Sequence, residues 1–365
     1  MKRPCVLFVV LLCFLFPAIS IRVLFSETQT PSPIELADEF INPLKQPEKE
    51  AQQQQPLPPP ISIKPSPLQP NLTVSVVIPV HNSEKYLERC IGTLRNQSLR
   101  GMEFIFVDDC STDNSTAVIE RHARADSRIR LIRNAANSGP GASRNAGIAA
   151  ARGEYVGFLD SDDYLSPTFY EALYNAAASE PAESGRKTKF DIAKGQLAHV
   201  RRDTIEYHQV AAEQAFAGRA YKYFYAQHYT GIFRKELLDQ HPDARYGNTS
   251  LGEDLVFLTK ICFYARNIVL TNKAVYYYDV RKGSLASTSG YKSLLALHAS
   301  HREMADFCAN SGSRTFFKDR IVWIKSLVDR SISKYKRFET SDKTEEKALY
   351  EEVKAFRRYI DTLKP

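Results

Sequence analysis

Between Val74 and Leu159 the chain runs four times through one pattern: a short β-branched or aromatic run, then a polar turn, then a more irregular or helical stretch. The runs are "VSVVIPV", "EFIFVDD", "RIRLIR" and "EYVGFL". Between them, Ser83 to about Asn96 is amphipathic, and Ser111 to Ala125 opens with Ser, Thr, Asp and Asn, as a capped helix does. The Gly-, Pro- and Ala-rich segment from Ser138 to Arg152 reads as a loop and a helix. Strands alternating with helices at this spacing need right-handed crossovers, and those give a largely parallel sheet. Ligands of such sheets bind beyond the carboxyl ends of the strands. The polar clusters fall there: "HN" after the first strand, "DDCSTD" after the second and "DSDD" after the fourth.

After Ser179 the rhythm changes. "FDIAKGQLAHVRR" and "TIEYH" read as antiparallel strands, "GEDLVFLTKICFYA" as an amphipathic helix and "AVYYYDV" as a further strand. From about Tyr291 the pattern is helical. Phe317, Ile321, Ile324, Val328 and Ile332 recur as a core-facing stripe, and the charged helix from Glu345 to Leu363 reads as loosely docked.

Ahead of this domain, Lys2 and Arg3 precede an apolar run from Pro4 to Ile21, closed by Arg22. As a helix that run is about 27 Å long, enough for a thin bilayer. It reads as a signal-anchor, with a cleavable signal peptide ending near "PAIS" as the alternative. Ser26 to Pro70 is rich in proline and glutamine and reads as an extended spacer. Four acceptor sequons follow, at Asn71, Asn96, Asn114 and Asn248. Together these features lead to the expectation of a secretory-pathway glycoprotein. The expected form is a single-pass type II membrane protein of the Golgi or endoplasmic reticulum with a lumenal domain, or a secreted protein if the signal is cleaved. Cys90, Cys110, Cys262 and Cys308 allow three disulfide connectivities, and buried free thiols account for them as well.

The expected division is a tip and anchor or signal over 1–25 and a stem over 26–72, followed by a catalytic domain over 73–290 and a helical extension over 291–365. The formal charge of +7 suits anionic ligands or headgroups. No zinc-finger spacing, RNA-binding aromatic signature or dense basic block accompanies it, which argues against a nucleic-acid partner.

The stretch "GFLDSDDYLSP" carries the chemistry most directly. Asp160, Asp162 and Asp163 crowd three carboxylates into four positions at the end of a buried strand, and such carboxylates repel unless a cation sits among them. A calcium loop of the EF-hand kind fails, because Tyr164 stands where an oxygen ligand is required.

In order along the chain, "VSVVIPVHNSEKYLERCIGTLRNQS", "FVDDCSTDNS", "NSGPGASRNAGI", "GEYVGFLDSDDYLSP" and "LGEDLVF" resemble family 2 glycosyltransferases of the GT-A fold, over roughly Val74 to Ser289. The resemblance implies a Rossmann-like, mostly parallel central sheet flanked by helices. It also implies an inverting, metal-dependent transfer from a UDP-sugar to a hydroxyl of a glycan, glycolipid or glycoprotein acceptor. The sugar would be a hexose or an N-acetylhexosamine. The cofactor would be Mn2+ or Mg2+, with Asp162 as its direct ligand and Asp160 reaching ribose or metal; Ser161 completes the motif. Asp109 matches the carboxylate that accepts the uracil N–H, with capping of the following helix as the other reading. Cys110 stands where the pattern commonly has glycine. Pro79, His81 and Asn82 fall where the base packs. Arg144 is expected on the nucleotide, against an internal salt bridge. Asp254 matches the catalytic base, with Glu253 positioning it or the acceptor, against an ordinary acidic helix start. Arg281 and Lys282, with Ser284 beside them, fall in a loop that approaches the diphosphate.

Three rival readings are weaker. A sugar nucleotidyltransferase needs a Gly-rich, Arg-containing loop after the first strand, and "PVHNSEKYL" has no glycine. A processive synthase needs several membrane spans and a Gln-x-x-Arg-Trp motif, whereas Trp323 lies in "RIVWIKS". An inactive nucleotide-sugar-binding relative is expected to lack Asp162 or Asp254, and both are present.

Overall fold

The computed structural model describes residues 72–179, 189–201, 204–208, 214–217, 227–281 and 289–364. The first part follows the expected alternation. It comprises β1 (Val74–Val80), α1 (Glu84–Arg95), β2 (Met102–Asp108), α2 (Ser115–Ala125), β3 (Ile129–Arg133), α3 (Gly139–Ala150) and β4 (Tyr155–Phe158). A two-residue strand β5 (Tyr164–Leu165) and α4 (Phe169–Ala178) close it. Next come β6 (Ile192–Arg201), β7 (Thr204–His208), β8 (Gln214–Ala217), β9 (Gly231–Arg234), α5 (Lys235–Gln240), α6 (Glu253–Tyr264) and β10 (Asn267–Asp279). Three long helices end the chain: α7 (Tyr291–Asn310), α8 (Arg314–Lys334) and α9 (Thr344–Thr362).

One sheet carries all these strands in the order β3-β2-β1-β4-β9-β6-β10-β5, with β7 added to β6 and β8 to β10. Strands β1 to β4 pair in parallel. The other half is mixed, because β9 runs antiparallel between β4 and β6 while β10 returns parallel to β6.

Side-chain alternation divides β1 between two cores. Val74, Val76, Ile78 and Val80 face α1 and α2, whereas Val77 faces α3. Burial on both faces explains why β1 reads as a continuous apolar run rather than an alternating one. Gly147 of α3 lets the helix lie against β1, since a Cβ there would sit 2.2 Å from Val77 Cγ1.

Two expectations change. Helix α6 is less amphipathic than expected: it buries Glu253, Val256, Phe257, Leu258, Thr259, Ile261 and Cys262, because α7 covers the side that would otherwise face water. The last helix is firmly docked. Leu349, Tyr350, Val353, Phe356 and Ile360 are buried in the same core cluster as Val77, Phe158 and Phe257. Its charge sits on the outer face, and the apolar stripe hidden among those charges seats the helix. The stripe on α8 behaves as expected, with Phe317, Ile321, Ile324 and Val328 buried. Among the described residues Cys90, Cys110, Cys262 and Cys308 form no disulfide, and burial pushes the Cys262 and Cys308 thiols up to about 12.

Candidate functional site

The loops that leave the carboxyl ends of β1, β2 and β4 are stitched together by their own polar side chains. After β1, Asn82 adopts a left-handed φ of 50° and its Oδ1 accepts the Thr112 backbone N–H at 2.8 Å. His81 Nδ1 lies 2.7 Å from the Asp109 carbonyl, a second link between the loops after β1 and β2. Pro79 pairs in register with Val107 beneath them. His81 and Asn82 remain exposed at this rim.

Asp109 is buried. Its Oδ1 accepts from Asn134 Nδ2 at 2.7 Å and the Ser138 N–H at 2.9 Å, and its Oδ2 accepts from the Gly139 N–H at 2.7 Å. The carboxylate therefore ties the loop after β2 to the start of α3, where the exposed amide groups of a helix N-terminus favour negative charge. Asp108 Oδ1 accepts from the Ser111 N–H at 3.3 Å, the short-range contact of a turn. Cys110, in the glycine position of the pattern, takes φ 59°. The turn keeps the left-handed geometry even though the residue has a side chain.

The acids after β4 separate into different jobs. Asp160 Oδ1 accepts from Arg144 Nη2 at 2.7 Å. Burial pushes this carboxyl up, but Arg144 more than offsets that and holds it below its ordinary range. Asp162 pairs with the Arg281 guanidinium, which also lies over the Tyr86 ring at 3.9 Å. Asp163 turns away from both. Its Oδ2 accepts from Tyr276 Oη at 2.8 Å and its Oδ1 from the Asp279 N–H at 2.9 Å, so it fastens β10 to the site. Burial, and then the charge of Asp160, raises its carboxyl well above the ordinary value. Ser161 Oγ lies 2.7 Å from Ser83 Oγ and bonds the loop after β4 to that after β1. Lys282 and Ser284 lie outside the described residues.

Arg144 is the hub. Its second amino group, Nη1, donates to Glu253 Oε1 at 2.8 Å. Both side chains are nearly closed to solvent, at 6% and 9% exposure. Gly141, one turn earlier in α3, makes room for this, because a Cβ there would stand 2.7 Å from the Gly247 carbonyl and 3.1 Å from Glu253 Cγ. Burial, with the neighbouring charge of Asp254, pushes Glu253 up to about 7. Asp254 is 28% exposed, and burial again raises its carboxyl. Its Oδ1 accepts from the Leu255 N–H at 2.9 Å, while its Oδ2 faces His228 Nδ1 at 3.8 Å.

His228 and Arg89 carry no sequence signal. His228, in the unpatterned segment "QHYTG", is only 2% exposed and lies among the rings of Phe158, Tyr229 and Tyr246. Among the described residues neither ring nitrogen has a hydrogen-bond partner. Burial, and then Arg144, pushes the imidazole well below its ordinary value, so it is neutral. Arg89 Nη2 donates to the Asp162 carbonyl and to Asp279 Oδ2, both at 2.6 Å, which joins β10 to the loop after β4.

The donor set of Asp160 and Asp162 consists of hard carboxylate oxygens, the type that holds Mg2+ or Mn2+. Here each of the two carboxylates is met by a guanidinium, Asp160 by Arg144 and Asp162 by Arg281.

Residues 75–241 match the profile of the family described as "Glycosyl transferase family 2". EpsH of Bacillus subtilis strain 168 is 30% identical over 225 residues, covering 58% of this chain and 62% of that protein. The glycosyltransferase GlyA of Streptococcus pneumoniae serotype 4 is 30% identical over 247 residues, covering 66% of this chain and 35% of that protein. The chain thus spans less than two thirds of the length of both. The fold is that of the crystal structure of Staphylococcus aureus TarS 1-349 in complex with UDP-GlcNAc. The TM-score is 0.65 at 22% identity, over 80% of this chain and 84% of that one. By that likeness the α/β sheet with its C-terminal helices is a GT-A-type fold.

One expectation is overturned here. These relatives come from bacteria, which have neither Golgi nor endoplasmic reticulum. Among the described residues no helix is long and apolar enough to cross a membrane. The lumenal type II placement in Golgi or endoplasmic reticulum, with its secreted alternative, is corrected accordingly. That placement rested on short patterns, an apolar run and three-residue sequons, that recur in chains of many origins. The apolar run from Pro4 to Ile21 lies outside the described residues.

Proposed function

We propose that this chain, whose residues 75–241 are a family 2 glycosyltransferase domain, transfers a sugar from a UDP-sugar to an acceptor hydroxyl with inversion at the anomeric carbon. The observation that carries this reading is the double ion pair of Arg144. It fixes the donor-side acid Asp160 and the acid pair at the start of α6 against one another. Transfer needs just such a pairing, with the leaving group held on one side and a base on the other.

The roles follow from the surroundings of each group. The nucleotide lies over the joined loops after β1 and β2, with Pro79, His81 and Asn82 at the base. Asp109 shapes the floor of that pocket. With one donor on Oδ2, it keeps an acceptor direction there for an imide N–H. Asp162, with Asp160, holds a divalent cation, Mn2+ or Mg2+, which when bound neutralises charge on the diphosphate. Arg281 leaves Asp162 for the phosphate oxygens as the donor enters, keeping its own charge paired throughout. Arg144 holds Asp160 ionised and Glu253 in place. Asp254 takes the proton of the attacking hydroxyl through Oδ2. The upward push of burial makes it a stronger base than an exposed aspartate. His228, packed behind Oδ2, fixes the direction of that oxygen. The relative TarS is named as a poly(ribitol-phosphate) beta-N-acetylglucosaminyltransferase, and its structure was solved with UDP-GlcNAc. UDP-GlcNAc is therefore the first donor to test here, with glycan, glycolipid and glycoprotein hydroxyls as acceptors.

Calorimetric titration of UDP with and without Mn2+ tests this assignment. Binding should tighten with Mn2+, and Asp162→Ala should abolish the tightening. Asp254→Asn should retain it while abolishing transfer in a screen of UDP-sugars read by product mass. Binding of UDP that ignores both Mn2+ and Asp162→Ala refutes the reading.

A further inference from the structure

The hairpin of β6 and β7 carries a side-chain cluster that the transfer chemistry does not use. Antiparallel register sets His199 opposite Glu206. Because alternate residues of a strand share a face, His208 stands on the same side as Glu206. Each of the three offers one ligand atom, and these atoms lie within 4.8 Å of one another. His208 Nε2 is 2.8 Å from His199 Nδ1, with ring centroids 4.4 Å apart.

We propose that His199, Glu206 and His208 bind one transition-metal dication of the zinc class. The donor set is two imidazoles and one carboxylate. That combination favours zinc, cobalt or nickel over magnesium or calcium, unlike the all-oxygen set of Asp160 and Asp162. Bonds of about 2.0–2.2 Å place ligand atoms roughly 3–3.5 Å apart, which small side-chain rotations reach from the present spacing.

The state of the groups supports the site. His199 is buried on the sheet, so its ring is held in place for a ligand from the neighbouring strand. The short contact between the rings needs one facing nitrogen protonated and the other bare. Moving that proton to the far nitrogen of its ring frees both facing lone pairs. Glu206 is held by Arg201 at 3.2 Å in a half-exposed ion pair, which is easily exchanged for a metal bond. The ring of Tyr278 on β10 flanks His199 at 5.5 Å and walls one side. A bound ion would clamp the edge strand β7 to β6 through ligands from both strands.

The test uses the full chain freed of metal by chelation. Zn2+ affinity is read by competition with a chromophoric chelator, and Co2+ binding by its visible absorption. One tight equivalent with nitrogen-ligand absorption is expected. It should weaken at least about tenfold in His208→Ala and less in Glu206→Gln, and persist unchanged in Asp162→Ala. If His208→Ala fails to fold by circular dichroism, His208→Asn takes its place. Unaltered Zn2+ affinity on losing His208, or loss of the Co2+ signal in Asp162→Ala, overturns the proposal. Neither result bears on whether UDP binding responds to Mn2+, so the two readings stand or fall apart.

Discussion

Arg144 and Glu253, 109 residues apart in sequence, meet through a 2.8 Å hydrogen bond between Nη1 and Oε1 in the interior of the protein. The same guanidinium holds Asp160, so one cation joins the end of β4 to the start of α6. Removing it leaves two acids without their cation, one of them deeply buried.

Arg144→Ala should therefore lower the unfolding free energy by about 3–5 kcal/mol, as loss of one partner of a buried pair does. Arg144→Lys should recover only part of this, since a single ammonium cannot reach both acids in the fork geometry of a guanidinium. Urea denaturation of the three proteins measures the effect. A loss below about 1 kcal/mol for the alanine variant would mean that the pair is solvated in solution.

Glu253 gives a pH signature. Its carboxyl is pushed up to about 7 in the folded protein, from the ordinary value of 4.5. The folded state thus binds its proton more tightly than the unfolded chain does. This contribution to stability is fully present below pH 4.5 and is lost as pH rises through about 7. Glu253→Gln removes the titration. The stability difference between the variant and the parent should shift in favour of the variant between those limits and level off above them. A difference that does not change with pH across this window contradicts the assignment.

His228 should affect turnover rather than binding. With the ring gone, Asp254 Oδ2 loses the wall 3.8 Å away that limits its rotation. His228→Ala should lower kcat by about 10–100-fold, the usual penalty for a misaligned reacting group. UDP affinity in the presence of Mn2+ should stay within about twofold. The discriminating variant is His228→Phe, which keeps the aromatic packing. If it restores full kcat, the imidazole acts only as filler.

Cys110 occupies a backbone region that glycine enters freely, at φ 59°. Relief of its steric cost, about 1–2 kcal/mol, competes with the extra unfolded-state freedom of glycine, about 0.5–1 kcal/mol. Cys110→Gly should accordingly stabilise the protein by up to about 1 kcal/mol and raise Tm, with UDP binding retained. A lowered Tm would show that the contact of Sγ with the Asn134 carbonyl, 3.4 Å, outweighs the strain.

Much of the site was legible along the chain because its parts are local. Asp160, Asp162 and Asp163 lie within four positions, yet their neighbours give them different work. Asp162 meets Arg281, Asp160 meets Arg144, and Asp163 is spent on Tyr276 and Asp279. The sequence could offer Arg144 either to nucleotide or to an internal pair, and the packing of α3 against α6 supplies two acids at hydrogen-bonding distance. His228 was invisible because nothing in "QHYTG" sets it apart. Only the convergence of Phe158, Tyr246 and Asp254 around it makes the imidazole notable.

By itself the sequence determined the alternation of strands and helices, the edge of the sheet at which the polar loops gather, and the order of the acidic motifs along it. Periodicity and turn chemistry act over a few residues, so they can be read without knowing the fold. Tertiary structure alone decided which charge faces which, how firmly α9 is seated and what surrounds Asp254. Those outcomes depend on strand order and helix packing between segments far apart in the chain, where the same side chain is a solvated charge or a buried partner according to what happens to lie opposite.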